Sequence, residues 1–158
     1  MKENINKLKK FLIEAKQKTY ASNDSTYKRK LHDGSILFEY ENKDLIYRDL
    51  YKGSSPFIGR ETVSHGGEVI WEMFYYGFII DERQNPNKEE IYRFLKKALL
   101  QMEEKFPYRE KDSFSCVDME GFLYKTEVDK FKGSFHGVEC IYYNDTRVYK
   151  AYYRGGVV

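Results

Sequence analysis

Glu61 and Glu139 each interrupt a run whose alternate residues are apolar, and a carboxylate in such a place is the first candidate for chemistry. In FIGRETVS, residues Phe57, Gly59, Glu61 and Val63 alternate with Ile58, Arg60, Thr62 and Ser64. A strand sends successive side chains to opposite faces, so Glu61 shares its face with Phe57 and Val63. Glu139 lies in the same way between Phe135 and Ile141. Burying an unpaired charge is costly, so an acid on an apolar face calls for a partner or a ligand. The preceding strand adds Tyr47 and Asp49 on one face with Tyr51 and Gly53. After a two-residue shift, the matching set in the second half is Glu127, Asp129, Phe131 and Gly133. The strand after Glu61 offers Trp71, Met73, Tyr75 and Gly77, and its counterpart offers Tyr149 and Tyr153. If these faces coincide, Glu61 and Asp49 sit among Tyr47, Trp71 and Tyr75, with Glu139, Asp129, Tyr149 and Tyr153 as a weaker second copy.

Four chemistries fit such a cluster. The carboxylates can be structural acceptors for tyrosine hydroxyls or for backbone amides at bulges near Gly59 and Gly137. They can hold a small cationic or amphipathic ligand, with Glu61 as charge partner and Trp71 and Tyr75 as aromatic walls. They can act as acid and base if burial raises a carboxylate pKa. They can bind a metal through clustered oxygens, although no ligand spacing of known type is present. The histidines add no constellation: His32 falls in a polar loop, His65 in a turn, and His136 on the strand face opposite Glu139. GxSxG, phosphate loops, dinucleotide fingerprints and paired CxxC motifs are absent from the sequence, so no catalytic residue, metal site or cofactor is assigned.

The elements that must position these residues occur twice. FIGRETVSHGGEVIWEMFYYGFI from Phe57 aligns without a gap on FHGVECIYYNDTRVYKAYYRGGV from Phe135, and FLIEAK at Phe11 echoes FLKKAL at Phe94. Ile5, Leu8, Leu12 and Ala15, with Phe11, predict a helix over 3–18. Ile91, Leu95, Ala98, Leu99 and Met102 predict a second, opened by Asn85-Pro86. Four strands follow each helix: 36–41, 45–51, 57–64 and 69–78, then 114–119, 122–131, 134–142 and 147–154. His65-Gly66-Gly67-Glu68 forms a hairpin turn, because Gly-Gly supplies the positive φ such turns require. The loop 20–34, with the basic run Lys28-Arg29-Lys30 read as a solvated stretch, is long for a compact domain, so it is either mobile or covers something. The expected fold is α+β: a tandem duplication of a helix-plus-four-strand unit, with repeats of about 1–82 and 83–158 forming one pseudo-twofold domain. Two helices pack on one face of a curved antiparallel sheet.

The chain of 158 residues carries 27 basic and 25 acidic side chains, a net charge of +2 that is too balanced to argue for nucleic acid. With 15 Tyr and 11 Phe, its aromatic share of 17% suggests a sheet with a wet or ligand-facing side. Cys116 and Cys140 have no metal-type spacing and are expected to be reduced thiols. Neither a signal-type apolar run nor one of membrane length is present, so a cytoplasmic protein with no membrane partner is expected.

YRDLYKGSSPFIGRETV, VIWEMFYYG, EVDKFKGSFHGVECI and VYKAYYRGGV, together with FLIEAKQKTYA, resemble an uncharacterised bacterial domain-of-unknown-function family found stand-alone or fused behind Xre-type helix-turn-helix regulators. Phe74 departs from that pattern, which often has a polar residue there. The fused form implies a sensory or effector-binding role, with no nucleic acid bound by this chain alone. In design, the chain is also similar to bacterial effector-binding domains that hold cationic ligands beside a buried Glu. The expected function is therefore a non-enzymatic ligand-binding or sensory domain. The alternative is a protein-interaction module, or a homodimer formed through its Tyr-rich last strand. A carboxylate acid–base enzyme ranks third.

Overall fold

Residues 2–21, 25–81, 86–101 and 112–158 are described in the computed structural model of the chain. The period-two alternation resolves into a single nine-stranded antiparallel sheet, and the period-3.6 stripes into two helices. Helix α1 spans Lys2–Lys16 and runs on into a π-helical turn, Gln17–Ala21. Strands β1 (Lys28–Lys30), β2 (Ile36–Asn42), β3 (Leu45–Gly53), β4 (Phe57–His65) and β5 (Glu68–Ile79) follow. Helix α2 spans Lys88–Leu99, and β6 (Ser113–Phe114), β7 (Phe122–Phe131), β8 (Ser134–Tyr143) and β9 (Thr146–Val157) complete the sheet.

The strand order is β1-β2-β3-β4-β5-β9-β8-β7-β6. Each half is a meander of hairpins, and the two meet where β5 pairs with β9, with Tyr75 opposite Tyr153. The β4–β5 hairpin has a bulge after Val63 and the β8–β9 hairpin has one after Ile141. Gly66 and Gly67 turn the first of these at φ +57° and +88°, the left-handed region where glycine carries no steric penalty.

Both helices cover the same face of the sheet. Leu8, Phe11, Leu12 and Ala15 of α1 bury against Tyr47, Val63, Trp71 and Met73. On α2, Ile91, Phe94, Leu95 and Ala98 bury against Phe122, Tyr124, Ile141 and Tyr149. Asn87 caps α2 in a reciprocal capping box with Glu90, which satisfies two backbone amides that the first turn leaves orphaned. Tyr40 on β2 ties α1 to the sheet by donating to Glu14 Oε1 at 2.5 Å, and Asn42 donates to the same carboxylate.

Several expectations change. The basic run Lys28–Lys30 lies in an edge strand paired with β2 rather than in a loop. The strand expected over 114–119 shortens to Ser113–Phe114, because the chain then leaves β7 and Asp118 reaches Lys97 of α2 at 2.6 Å. Helix α2 begins at Lys88 behind Asn87, later than the Asn85-Pro86 start; Asn85 and Met102 lie outside the described residues, as does part of the 20–34 loop. Strand β9 lies at the centre of the sheet, paired on both sides, and so offers no open edge to a second copy.

Two glycines set the floor under the helices. A Cβ at Gly59 would overlap the Tyr75 ring, and one at Gly137 would overlap the Tyr153 ring. Each tyrosine therefore lies across the neighbouring strand where only a hydrogen leaves room. Gly59→Ala is expected to destabilise the fold by about 1–3 kcal/mol through overpacking. In chemical denaturation, a Gly59→Ala/Tyr75→Ala double variant should cost less than the sum of the two single changes. Strict additivity would show that the ring does not lie there.

The anchor of α1 gives a pH test. Hydrogen bonding to Glu14, with burial, pushes the Tyr40 hydroxyl from its ordinary value near 10 up to about 12. The raised group contributes stability that is complete below pH 10 and is lost as pH rises through 12. The stability gap between the native protein and Tyr40→Phe should therefore narrow across that window. A gap that stays constant would mean the bond to Glu14 is not formed.

Candidate functional site

The apolar stripe of α1 ends in a charge. Leu8, Leu12 and Lys16 are spaced i, i+4 and share one face, so the helix that buries the leucines also carries the lysine onto the sheet. Lys16 is only 5% exposed, and its Nζ lies 2.8 Å from Oε2 of Glu61, itself 3% exposed. In the following π turn, Thr19 Oγ1 donates to the Ala15 carbonyl. Glu61 is thus a buried acid, as its strand face implied, and its charge partner comes from the first helix.

Asp49 stands directly opposite Glu61 in the β3–β4 register and is fully buried. Its Oδ1 accepts the Tyr75 hydroxyl at 2.5 Å. Tyr47 and Trp71 flank Val63 on β3 and β5, both fully buried. Trp71 stacks on Phe135 with centroids 6.2 Å apart, and the Lys16 ammonium lies 6.0 Å from its ring. Its Nε1 has no hydrogen-bond acceptor among the described residues.

In the second half, Glu139 is 5% exposed and accepts two tyrosine hydroxyls at 2.8 Å, Tyr124 on Oε2 and Tyr149 on Oε1. The residue opposite it is Thr126, whose Oγ1 lies 2.7 Å from the Tyr153 hydroxyl. Thr126 therefore occupies the place that Asp49 holds in the first half. Asp129 pairs with His136 on the outer face of the sheet, its side chain 87% exposed, and is not brought to the site. The ungapped repeat carries Asp49 onto Glu127, but the register sets Thr126 against Glu139, a slip of one residue; the shift of two assumed from sequence has the other parity and so put Asp129 on the wrong face.

Between α1 and α2, above the β5–β9 seam, lies a cavity of about 680 Å³. Tyr75 and Tyr153 form the middle of its floor, with Glu61 and Lys16 on one side and Glu139 and Tyr149 on the other. Phe57, Met73 and the α2 residues Tyr92, Leu95 and Leu99 supply apolar walls, while Lys28, Lys88, Glu89 and Lys96 stand around it. Tyr92 is fixed by donating to the Ser54 carbonyl. Burial, with the carboxylate of Asp49 nearby, raises the pKa of the Tyr51 hydroxyl, which also lines the cavity.

Five of the residues singled out by sequence thus line one space: Glu61, Tyr75, Glu139, Tyr149 and Tyr153. Tyr47, Asp49 and Trp71 lie buried among the groups that support it, so Trp71 is core rather than wall. Sequence reasoning missed Lys16, Phe57, Tyr92 and Leu99. The signal for Lys16 was its place at the end of the Leu8–Leu12 stripe. Among the described residues no group of three or more His, Cys, Asp or Glu side chains could hold a metal ion, and no helix is long and apolar enough to cross a membrane.

A family model described as a domain of unknown function (DUF5680) matches residues 49–158. That span runs from Asp49 through both glutamates of the cavity and leaves α1, with Lys16, outside it. No curated protein and no solved structure matches the chain.

The buried ion pair can be tested directly. Lys16→Met leaves the Glu61 carboxylate uncompensated and should cost about 3–5 kcal/mol in guanidinium denaturation. Lys16→Met/Glu61→Leu should recover most of that loss, since an apolar pair replaces two desolvated charges. A neutral Lys16→Met would show that the pair is not formed in solution.

Proposed function

The chain belongs to the family of the domain of unknown function DUF5680, and we propose that it is a non-enzymatic small-molecule-binding domain with a sensory role. One observation carries this reading: a cavity of about 680 Å³ whose aromatic floor holds a buried lysine–glutamate pair and a second buried glutamate. Its volume falls within the range of small-molecule sites, roughly 300–1,000 Å³. Its lining also has the composition of such sites, mostly ring faces and aliphatic groups with a few placed polar atoms.

The ligand is amphipathic, with a flat apolar body against Tyr75, Tyr153 and Phe57 and a polar end toward the buried charges. A cation seated on Glu61, the expectation from sequence alone, would have to share that carboxylate with Lys16. The site comprises Glu61, Tyr75, Glu139, Tyr149 and Tyr153. Asp49 and Tyr47 are supports, and Trp71 is an internal reporter beside Lys16.

We further propose that the two halves descend from one duplicated unit. The gapless alignment of Phe57 onto Phe135 supports this, as do the bulges after Val63 and Ile141 at equivalent positions. The facing of the equivalent Tyr75 and Tyr153 across the central seam adds to that support. Duplication would place the cavity on the pseudo-twofold axis, where two ancestral sites merge. In the fused form of the family that the sequence resembles, which also occurs stand-alone, such a cavity would report a ligand to its DNA-binding partner.

A second reading rests on the outer sheet face. Ile58, Tyr76 and Tyr152 lie side by side across β4, β5 and β9, next to Phe74, and all four are exposed. That row suits a protein contact through the face of the sheet.

A thermal-shift screen of small aromatic and heteroaromatic compounds separates these readings. Stabilising compounds are expected, and their effect should vanish in Leu99→Trp, which fills the cavity from α2. A compound at 100 times its dissociation constant contributes about 2.7 kcal/mol, well within detection. Compounds that stabilise Leu99→Trp equally bind elsewhere and would sink the cavity reading.

A further inference from the structure

We propose that the ligand group held by Lys16 and Glu61 is a neutral donor–acceptor edge, an amide or lactam on a flat aromatic ring system. This rests on the cavity reading above and specifies the chemistry of its polar end. Lys16 and Glu61 both line the cavity and are both at least nine-tenths buried. Their charges are already matched at 2.8 Å, through Oε2 alone. That oxygen is fully enclosed and, apart from the Lys16 ammonium, meets no hydrogen-bond partner among the described residues. An ammonium carries three donors and a carboxylate has two accepting oxygens, so each partner keeps hydrogen-bonding capacity.

A ligand with a formal charge fits such a pair badly. An ammonium on Glu61 would stand against the Lys16 ammonium, and a carboxylate on Lys16 would stand against Glu61. At Lys16 and Glu61 either ion would also leave water for a pair whose charges already cancel, so the pair would not compensate its desolvation. A carbonyl oxygen beside an N–H meets both spare valences at once and brings no net charge. Because the lysine and the carboxylate are adjacent, the matching acceptor and donor must also be adjacent, as they are along the edge of a primary amide or a ring lactam.

The remainder of the site asks for a flat body. Tyr75 lies across the position of Gly59, and Tyr153 across that of Gly137, which presents two ring surfaces at the centre of the floor. Their hydroxyls are engaged with Asp49 and Thr126, so the rings offer area more than hydrogen bonds. Ring–ring contacts, offset-stacked or edge-on, contribute beyond the apolar area they bury.

The test compares four probes of one shape on the full chain: 2-naphthamide, 2-naphthoate, 2-naphthylmethylamine and 2-methylnaphthalene. Affinity is measured by calorimetry and by Trp71 fluorescence, since Trp71 neighbours Lys16. The expected order places 2-naphthamide first, about tenfold tighter than 2-methylnaphthalene, as one or two net hydrogen bonds imply. This ranking is obtained on the unaltered protein and does not depend on any variant folding. In Lys16→Met/Glu61→Leu, the amide should lose its advantage while 2-methylnaphthalene binds as well or better. If the amine or the carboxylate binds tightest, the donor–acceptor assignment is overturned and the cavity reading stands. If no probe binds, both fall together.

Discussion

The antiparallel pairing of β5 with β9 is the constraint on which the rest of the molecule depends. Each half is a meander with a single helix, and each alone would be a small core with an open strand edge, a combination that is marginal in water and prone to association. Joining the halves through β5 and β9 removes both central edges at once and leaves only the short β1 and β6 at the rims of the sheet. It also places two helices on one face, α1 buried mainly against the first half and α2 mainly against the second. The cavity is the geometrical remainder: the sheet passes continuously beneath both helices, and the two cores border the space above its central seam, with Met73 and Tyr153 from one and Tyr149 and Ala151 from the other.

Tyrosine hydroxyls make that arrangement compatible with buried acids. A carboxylate on an inner face is tolerable when its oxygens receive hydrogen bonds and intolerable when they do not. Asp49 receives Tyr75, and Glu139 receives both Tyr124 and Tyr149. Glu61 departs from the pattern. Trp71 stands on its strand at the position equivalent to Tyr149, and an indole N–H is bound to a fixed ring where a phenol can reach. The charge of Glu61 is met by an ammonium from α1. The first half thus replaces a neutral donor by a cation, and the two sides of the cavity differ most at this point.

Much of the fold could be anticipated because it is recorded in local patterns. The alternation around Glu61 and Glu139 assigned both to the inner face correctly, and Gly66-Gly67 marked the hairpin at which β4 turns into β5. Non-local information was not accessible in the same way. Asp129 was misassigned because the register of β7 depends on its pairing with β8, and no local feature of EVDKF fixes that pairing. The end of β6 depends on the contact of Asp118 with Lys97, which are distant in sequence. Lys16 was overlooked for a related reason. A lysine near a helix end is ordinarily solvated, and only the tertiary position of α1 reveals that its face continues over the sheet.

The comparison of Lys16 with its counterpart bears on whether the buried pair is structural. The segments FLIEAK and FLKKAL put Phe11, Leu12 and Ala15 in register with Phe94, Leu95 and Ala98, all of them buried. Carried one step further, the same register sets Lys16 opposite Leu99, and both side chains line the cavity. On the proposed duplication, the second half carries a leucine at that place. A leucine would bury apolar surface at no desolvation cost, whereas a lysine there must be stripped of water and matched by an equally stripped glutamate. On packing grounds alone the apolar choice is favoured. An ion pair facing the cavity at this point is what the proposed ligand-binding reading calls for, and packing of the helix that carries it does not call for it.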